Sequence, residues 1–282
     1  MKRGVREKAE QKTGEAGFDF FYAEYFGERW KNLRESFLKK TDCVEFKAGG
    51  EKSYFLDSAS VLCACSLPLV GAKKILDVCA APGGKSVVLA SRMESDAALI
   101  SNERSEARKK RLTSSILQCL PKNVSERVFV WGRDGAKLCL DKKNIESFDR
   151  ILLDAPCSSE RHVFCDKKYL EKWSPSRIRA LASEQWALLS CAWRLLKFDG
   201  FLLYSTCALC AQENDEQISR LCRKFGSEVE VVKNPPISSV SDFCFEKFPI
   251  GEKTDFGTNV LPDSTNGAGP LYFSLVHKVQ KI

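Results

Sequence analysis

Short unbroken apolar runs alternate along this chain with longer stretches in which apolar residues recur at steps of three and four. The runs at 75–79, 97–102, 128–131, 149–154 and 201–205 lack helical spacing and are closed by turn residues, so each predicts a buried strand. The stretches 85–93 and 105–120 are spaced as helices. In the second, Leu112, Ile116 and Leu120 line one face, while Arg104, Arg108, Lys109, Lys110 and Arg111 lie elsewhere. Ser174-Pro175 opens a long helix, proline being favoured in a first turn. Its core side carries Ile178, Leu181, Ala182, Leu189, Ala192 and Leu196, and Asp199-Gly200 ends it. A helix over 211–225, a strand over 228–232 and a last β run over 271–279 complete the alternation. Repeated strand–helix units predict a parallel sheet with helices on both faces and ligands beyond the carboxyl ends of the strands. The Ile151-Leu-Leu153 run is apolar enough for the centre of that sheet.

The flanks read differently. Residues 1–17 are charged, contain glycine and lack apolar periodicity, which predicts a disordered basic tail. Over 18–52 the aromatics are dense, and Tyr22, Phe26, Trp30, Leu33 and Phe37 fall at helical steps. This is read as a helical N-terminal extension covering the main domain, 53–282. Asp57 or Ser58 is placed to cap a helix running towards Leu67. The stretch 158–174 reads as an irregular charged insertion. The stretch 233–269 reads as loop, with turns at Asn234-Pro-Pro and Gly267-Ala-Gly-Pro.

Composition narrows the possibilities. Of 282 residues, 44% are hydrophobic and 29% charged, and the net charge of +7 is compatible with nucleic-acid binding. No apolar run is long enough to span a membrane, and Met1-Lys-Arg-Gly-Val-Arg-Glu-Lys lacks the apolar core of a signal peptide. A cytoplasmic protein without a membrane partner is therefore expected. With nothing directing export, the thirteen cysteines predict free thiols. Cys63, Cys65, Cys119 and Cys191 sit in apolar surroundings, as small buried hydrophobes do. Cys207-Ala-Leu-Cys210 has the spacing of a zinc or redox pair, but no second pair accompanies it and the only histidines are His162 and His277, so no metal is expected.

The candidate chemistry gathers where strands end. Ile75 to Ser86 is a strand, a Pro82-Gly83-Gly84 turn and a helix start. Glycines there let backbone approach a ligand, and the helix N-terminus offers free N–H groups. It is not a Walker A loop, because Cys79 stands where the first glycine belongs, and no G-x-G-x-x-G is present. Glu103 follows the second strand, where a carboxylate can accept both ribose hydroxyls of a nucleoside. Asp134-Gly135 follows the third, Asp154-Ala-Pro156-Cys157 ends the fourth, and Ser205-Thr-Cys207 ends the fifth.

Asp77-Val-Cys79-Ala80-Ala81-Pro82-Gly83-Gly84-Lys85, with Asp154-Ala-Pro-Cys157 and Ser205-Thr-Cys207, resembles the motifs of the Sun/Fmu (NSUN-type) RNA cytosine-5 methyltransferases from about Tyr54 onward. The resemblance implies a class I, Rossmann-like S-adenosylmethionine-dependent methyltransferase: a seven-stranded sheet whose last strand is antiparallel. It implies a cofactor loop at residues 79–85, with Glu103, Arg108, Asp134, Gly135 and Asp154 completing the cofactor site. Carbon 5 of cytosine is a poor nucleophile, so a thiolate must first add to carbon 6, and cysteine suits this because it both attacks and leaves. The family pattern makes Cys207 the nucleophile and Cys157 the helper in product release. Asp154 is placed to bind the amidine edge of the base, and Lys85 to orient Asp154 or lower a nearby thiol pKa. RNA is the implied partner, ribosomal RNA before transfer RNA, with Arg161, Lys167, Lys168 and Lys172 as candidate phosphate contacts and His162 as a candidate stacking ring. With the last strand at 271–279, no appended RNA-binding module is expected. The chain is then expected to act as a monomer or with help from a protein partner or pre-assembled ribonucleoprotein. The reading from another class is a catalytically silent RNA-binding or assembly factor that retains the fold.

Overall fold

The structure is a computed structural model that describes residues 13–235, 237 and 248–280. The expected tail lies outside them up to residue 12; from Gly14 the chain is helical. Helices α1 (Gly14–Phe26) and α2 (Arg29–Ser36) break at Gly27, whose φ of 59° favours glycine. The aromatic stripe faces inward: Phe18, Tyr22, Trp30, Leu33 and Phe37 are buried with Val163, Leu170 and Trp173 in one cluster. The extension is not helical throughout, because β1 (Cys43–Phe46) pairs antiparallel with β2 (Tyr54–Asp57) as a hairpin. Helix α3 (Ser58–Cys65) follows, capped by Asp57, whose carboxylate accepts from Ala59 N at 2.8 Å.

The sheet is built from β3 (Lys74–Asp77), β4 (Ala98–Asn102), β5 (Val128–Trp131), β6 (Phe148–Asp154), β7 (Leu196–Thr206), β8 (Val229–Val231), β9 (Glu252–Lys253), β10 (Thr258–Val260) and β11 (Leu271–Lys278). The order runs β5-β4-β3-β6-β7-β11, with β8 on the far edge of β11. These are the seven expected strands: β3 to β7 are mutually parallel and β11 is antiparallel to β7. The short β9 and β10 add to them beyond β11, within the stretch read as loop. Between the strands run α4 (Gly84–Arg92), α5 (Glu106–Cys119), α6 (Lys122–Ser125), α7 (Glu160–Cys165), α8 (Lys167–Glu171), α9 (Pro175–Leu195) and α10 (Asp215–Phe225).

Alternation along the strands makes two cores. Ile75, Leu99, Leu152 and Leu203 pack with α3, α4 and α5 on one face, while Leu76, Ile100, Ile151, Leu153 and Leu202 pack with α9 and α10 on the other. Among the described residues no helix is long and apolar enough to cross a membrane.

Two further expectations are corrected. Helix α9 ends at Leu195, before Asp199-Gly200. Those residues instead mark a kink in β7, where pairing with β6 jumps from Phe148↔Leu196 to Arg150↔Phe201 and Asp199 takes a φ of 59°. The insertion at 158–174 is not irregular: it folds into α7 and α8 because Val163, Leu170 and Trp173 are buried against the N-terminal aromatics.

Candidate active site

Because β3 to β7 are parallel, their carboxyl ends open on one edge, and a cleft of about 850 Å³ lies there. Cys79, Lys85, Arg108, Asp154, Cys157 and Cys207 all line it. Its other wall comes from the segment after α2, with Lys39 and Lys40, and from Gly269 to Leu271 at the start of β11.

The loop from Cys79 to Gly83 leaves β3 through a cis Ala81-Pro82 peptide and enters α4 with Gly83 at a φ of 117°. A Cβ on Gly83 would lie 2.9 Å from the Ser115 Cβ, and one on Gly84 would lie 2.7 Å from the Tyr54 ring. The need for glycine is therefore set by α5 and β2 pressing on the loop, as well as by any ligand in front of it. Ala80 and Ala81 are buried, the Ala80 N–H donates to Asn102 O at 2.9 Å, and the Ser115 hydroxyl donates to Pro82 O at 2.8 Å. Behind the loop, Ser86 donates to Asp77 at 2.7 Å, and burial pushes the Asp77 carboxyl up to about 7.

Glu103 is 3% exposed, accepts from the Ser105 N–H at 2.8 Å and pairs with Arg108 at 3.2 Å. Arg108 also donates to Ala81 O at 2.7 Å, which ties α5 to the glycine loop. Asp134 is half-buried and caps the turn that follows it by accepting from Ala136 N at 3.1 Å. Gly135 packs so closely that a Cβ would lie 2.8 Å from Val78. Asn102 was not singled out in the sequence, yet it joins the two loops: its amide donates to Val78 O at 3.0 Å and Arg133 O at 2.9 Å.

At the ends of β6 and β7, Lys85 Nζ donates to Asp154 Oδ2 at 2.7 Å and the Ser205 hydroxyl donates to Oδ1 at 2.7 Å, so both carboxylate oxygens are held. Burial works against the Lys85 ammonium, but Asp154 and the nearby thiols push its pKa up on balance, and it stays protonated. The Cys157 and Cys207 sulfurs are 3.0 Å apart, and the Cys207 N–H donates to Cys157 Sγ at 3.3 Å. The bond between the two sulfurs favours the proton on Cys157 and the negative charge on Cys207. Cys207 is held below the ordinary thiol value chiefly by that bond from Cys157 and further by Ser159 at 3.2 Å, against burial. Cys157 is pushed well up by the same bond and by burial.

Other sequence candidates line the same cleft in other roles. Arg161 donates to four carbonyls, Phe37 O at 3.3 Å, Lys39 O at 2.7 Å, Gly267 O at 2.7 Å and Gly269 O at 2.6 Å, so it staples the cleft wall and is not a free phosphate contact. His162 lines the cleft with its ring 5.3 Å from that of Tyr169. The thiols of Cys207 and Cys210 face different partners, Cys210 turning to Glu213 at 3.6 Å. Ser159, Ser205 and Asn102 are site residues that spacing did not reveal. Ser205 stood in a recognised motif without an assigned role, and a buried asparagine between two loops leaves no sequence signal.

A parallel sheet with one antiparallel strand beside β7 and a cleft at its carboxyl edge defines the class: the Rossmann-like fold of class I S-adenosylmethionine-dependent methyltransferases. Residues 64–273 match the 16S rRNA methyltransferase RsmB/F family, and the chain belongs to it. It is 37% identical over 181 residues to ribosomal RNA small subunit methyltransferase F of Serratia proteamaculans, a match covering 63% of this chain and 37% of that protein. Over 161 residues it is 40% identical to the protein of that name from Psychromonas ingrahamii, covering 55% of this chain and 31% of that one. The chain thus spans about a third of the length of these curated relatives. Among solved structures, NSun6 from Pyrococcus horikoshii with SFG superposes with a TM-score of 0.65 and 25% identity, covering 82% of this chain and 54% of that one. A methyltransferase homologue from Pyrococcus horikoshii shares the fold, with a TM-score of 0.71, 17% identity and 99% and 100% coverage.

Proposed function

We propose that this protein transfers a methyl group from S-adenosylmethionine to carbon 5 of a cytosine in RNA, with Cys207 as the nucleophile. The observation that carries this is the thiol pair: Cys207 held low and Cys157 held high, 3.0 Å apart, in the cleft that also holds the fixed Asp154 carboxylate. The cleft volume of about 850 Å³ suits a nucleoside cofactor and a base together. The cofactor is a cationic nucleoside, and the residues present fit it: the Glu103 and Asp134 carboxylates as acceptors, and the N–H groups at the Gly83 end of α4 and along the loop from Cys79 to Lys85 as donors. When bound, it supplies the methyl group.

The Cys207 thiolate adds to carbon 6 of the base, which makes carbon 5 electron-rich enough to take the methyl group that the bound cofactor would supply, its bond to the sulfonium sulfur breaking to leave a neutral thioether. Loss of the carbon 5 proton to water then lets the Cys207 sulfur leave as thiolate and restores the aromatic ring. Asp154, fixed by Lys85 and Ser205, presents its carboxylate to the amino and N3 edge of the base and favours the protonated ring that accepts the thiolate. Cys157 keeps its proton and stands beside the sulfur that must depart, which fits assistance in release. Ribosomal RNA is the preferred substrate, supported by the names of the relatives, and transfer RNA the second. Lys39 and Lys40 line the cleft wall and supply positive charge for its phosphates. Incubation with total RNA and labelled cofactor, followed by mapping of 5-methylcytosine, tests the reading. New 5-methylcytosine in ribosomal RNA is the expected result, and RNA bound without any methylation would favour the catalytically silent factor.

A further inference from the structure

Beneath the two cysteine loops lies a buried polar cluster that this chemistry does not use. Glu160 opens α7 and Glu213 closes the turn before α10, and they are 1% and 0% exposed. The Ser158 hydroxyl is in hydrogen-bond contact with Oε1 of both. The grips are crossed. Glu213, downstream of Cys207, accepts from the Ser158 N–H at 2.9 Å and so holds the Cys157 loop. Glu160, downstream of Cys157, accepts from the Leu209 N–H at 3.2 Å and so holds the Cys207 loop. Gln185, buried in α9, donates to Glu213 at 2.7 Å, and Tyr22 reaches in from α1 to donate to Glu160.

Valence limits the charge of this cluster. A hydroxyl has one proton, so Ser158 can donate to one carboxylate only, and the second contact requires a carboxyl group that donates to Ser158. Two bare carboxylates would also be uncompensated buried charges. The groups that face them, Tyr22, Tyr204, Cys157, Cys207 and Cys210, bring no positive charge. Burial, then repulsion from Glu213, pushes the Glu160 carboxyl up to about 7, and burial pushes Glu213 up as well. Glu160, Glu213 and Cys210 also bring ligand atoms within 4.8 Å of one another, but the Ser158 hydroxyl, touching both carboxyls, stands where a cation would sit.

We propose that Glu160 and Glu213 are positioning residues for the thiol pair: sharing one proton through Ser158, they cross-link the Cys157 and Cys207 loops, and Tyr22 anchors that link to the N-terminal helices. This rests on the reading of Cys207 as nucleophile.

The test follows alkylation of Cys207 by iodoacetamide against pH in the full chain, resolved by peptide mass spectrometry. It needs neither RNA nor cofactor, so it separates a failure of the positioning role from a failure of the methyl-transfer reading. Glu160→Gln and Glu213→Gln keep hydrogen-bonding groups of the same shape, and the Cys207 profile should stay close to that of the parent. Glu160→Ala and Glu213→Ala release the loops, so Cys207 should lose its donors and react about tenfold more slowly at neutral pH, as a rise of one pKa unit predicts. Alanine variants that melt like the parent and leave the Cys207 profile unchanged would overturn the proposal. If the alanine variants do not fold, the glutamine variants decide. A glutamine cannot ionise, so the fall in stability from pH 4.5 to about 7 should shrink. An undiminished fall, or a tightly bound metal in the purified protein, would overturn the shared proton.

Discussion

Under the proposed assignment the residues at the ends of β6 and β7 have unequal tasks, so the two cysteines should fail in different ways. Cys207→Ala removes the attacking sulfur, so it should form no covalent bond to RNA and show no methylation while cofactor binding survives. Cys157→Ala keeps the nucleophile and loses the neighbouring thiol at 3.0 Å, so it should methylate and then stay attached. A denaturing gel checks this: a protein–RNA band in the Cys157 variant alone is the expected outcome, and a band in the Cys207 variant alone would reverse the assignment. Activity should rise with pH as Cys207 ionises below the ordinary thiol range. Asp134→Ala should weaken cofactor binding measured by calorimetry, since its carboxylate ends the third strand beside the glycine loop. These cysteines and acids were legible as motif residues; their protonation states were not. A thiol's charge depends on which atoms donate to it, and Ser159 and the Cys207 N–H reach their partners only after folding.

At the scale of elements, the cleft depends on segments that carry none of the chemistry. Arg161 draws together the end of α2, the turn before β11 and α7 through four carbonyls. Arg161→Ala should cost about 3 kcal/mol, because charge-assisted hydrogen bonds are lost and carbonyls are left unpaired. Arg161→Lys should restore little, since an ammonium cannot span four carbonyls as a guanidinium fork does. Urea unfolding of the two variants checks both statements, and a fully stable lysine variant would contradict the staple. Trp30 is 5% exposed in the aromatic cluster, so Trp30→Ala should cost about 3–5 kcal/mol. The strands β3 to β7 and the glycine turn were readable because short apolar runs without helical spacing, and the turn residues that close them, are local signals. Helices α7 and α8 were not readable, because what makes them fold is an apolar surface contributed by a segment more than a hundred residues earlier in the chain. The end of α9 was misplaced for a related reason: Asp199-Gly200 is a turn signal, and only the pairing of Leu196 with Phe148 makes it a kink inside a strand.

For the molecule as a whole, buried acids set the response to pH. The Asp77 carboxyl, pushed by burial up to about 7 from 3.8, binds its proton more tightly folded than unfolded. Its contribution to stability is therefore complete below 3.8 and lost as pH rises through about 7. Glu160 acts in the same direction. Unfolding midpoints should decline over this range, and Asp77→Asn should flatten the decline; a slope unchanged in that variant would remove Asp77 from the account. The net charge of +7 predicts a second global property. RNA affinity should fall steeply between about 50 mM and about 200 mM salt, as phosphate contacts require. A flat dependence would point to a protein partner as the source of affinity.

The sequence by itself determined the class of fold, the tight turn at Pro82-Gly83-Gly84 and the motifs that carry Cys157 and Cys207. The fold class rests on short-range facts, apolar runs closed by turn residues and stretches with helical spacing between them, and the cysteine motifs rest on their resemblance to the family. Tertiary structure decided that the two sulfurs meet at 3.0 Å, why Gly83 and Gly84 have no room for a side chain, and that Arg161 is a staple. It also decided that Glu160 and Glu213, fifty-odd residues apart in the chain, face one hydroxyl. Each of these is a relation between residues that only folding brings within hydrogen-bond reach, and no local pattern encodes such a distance.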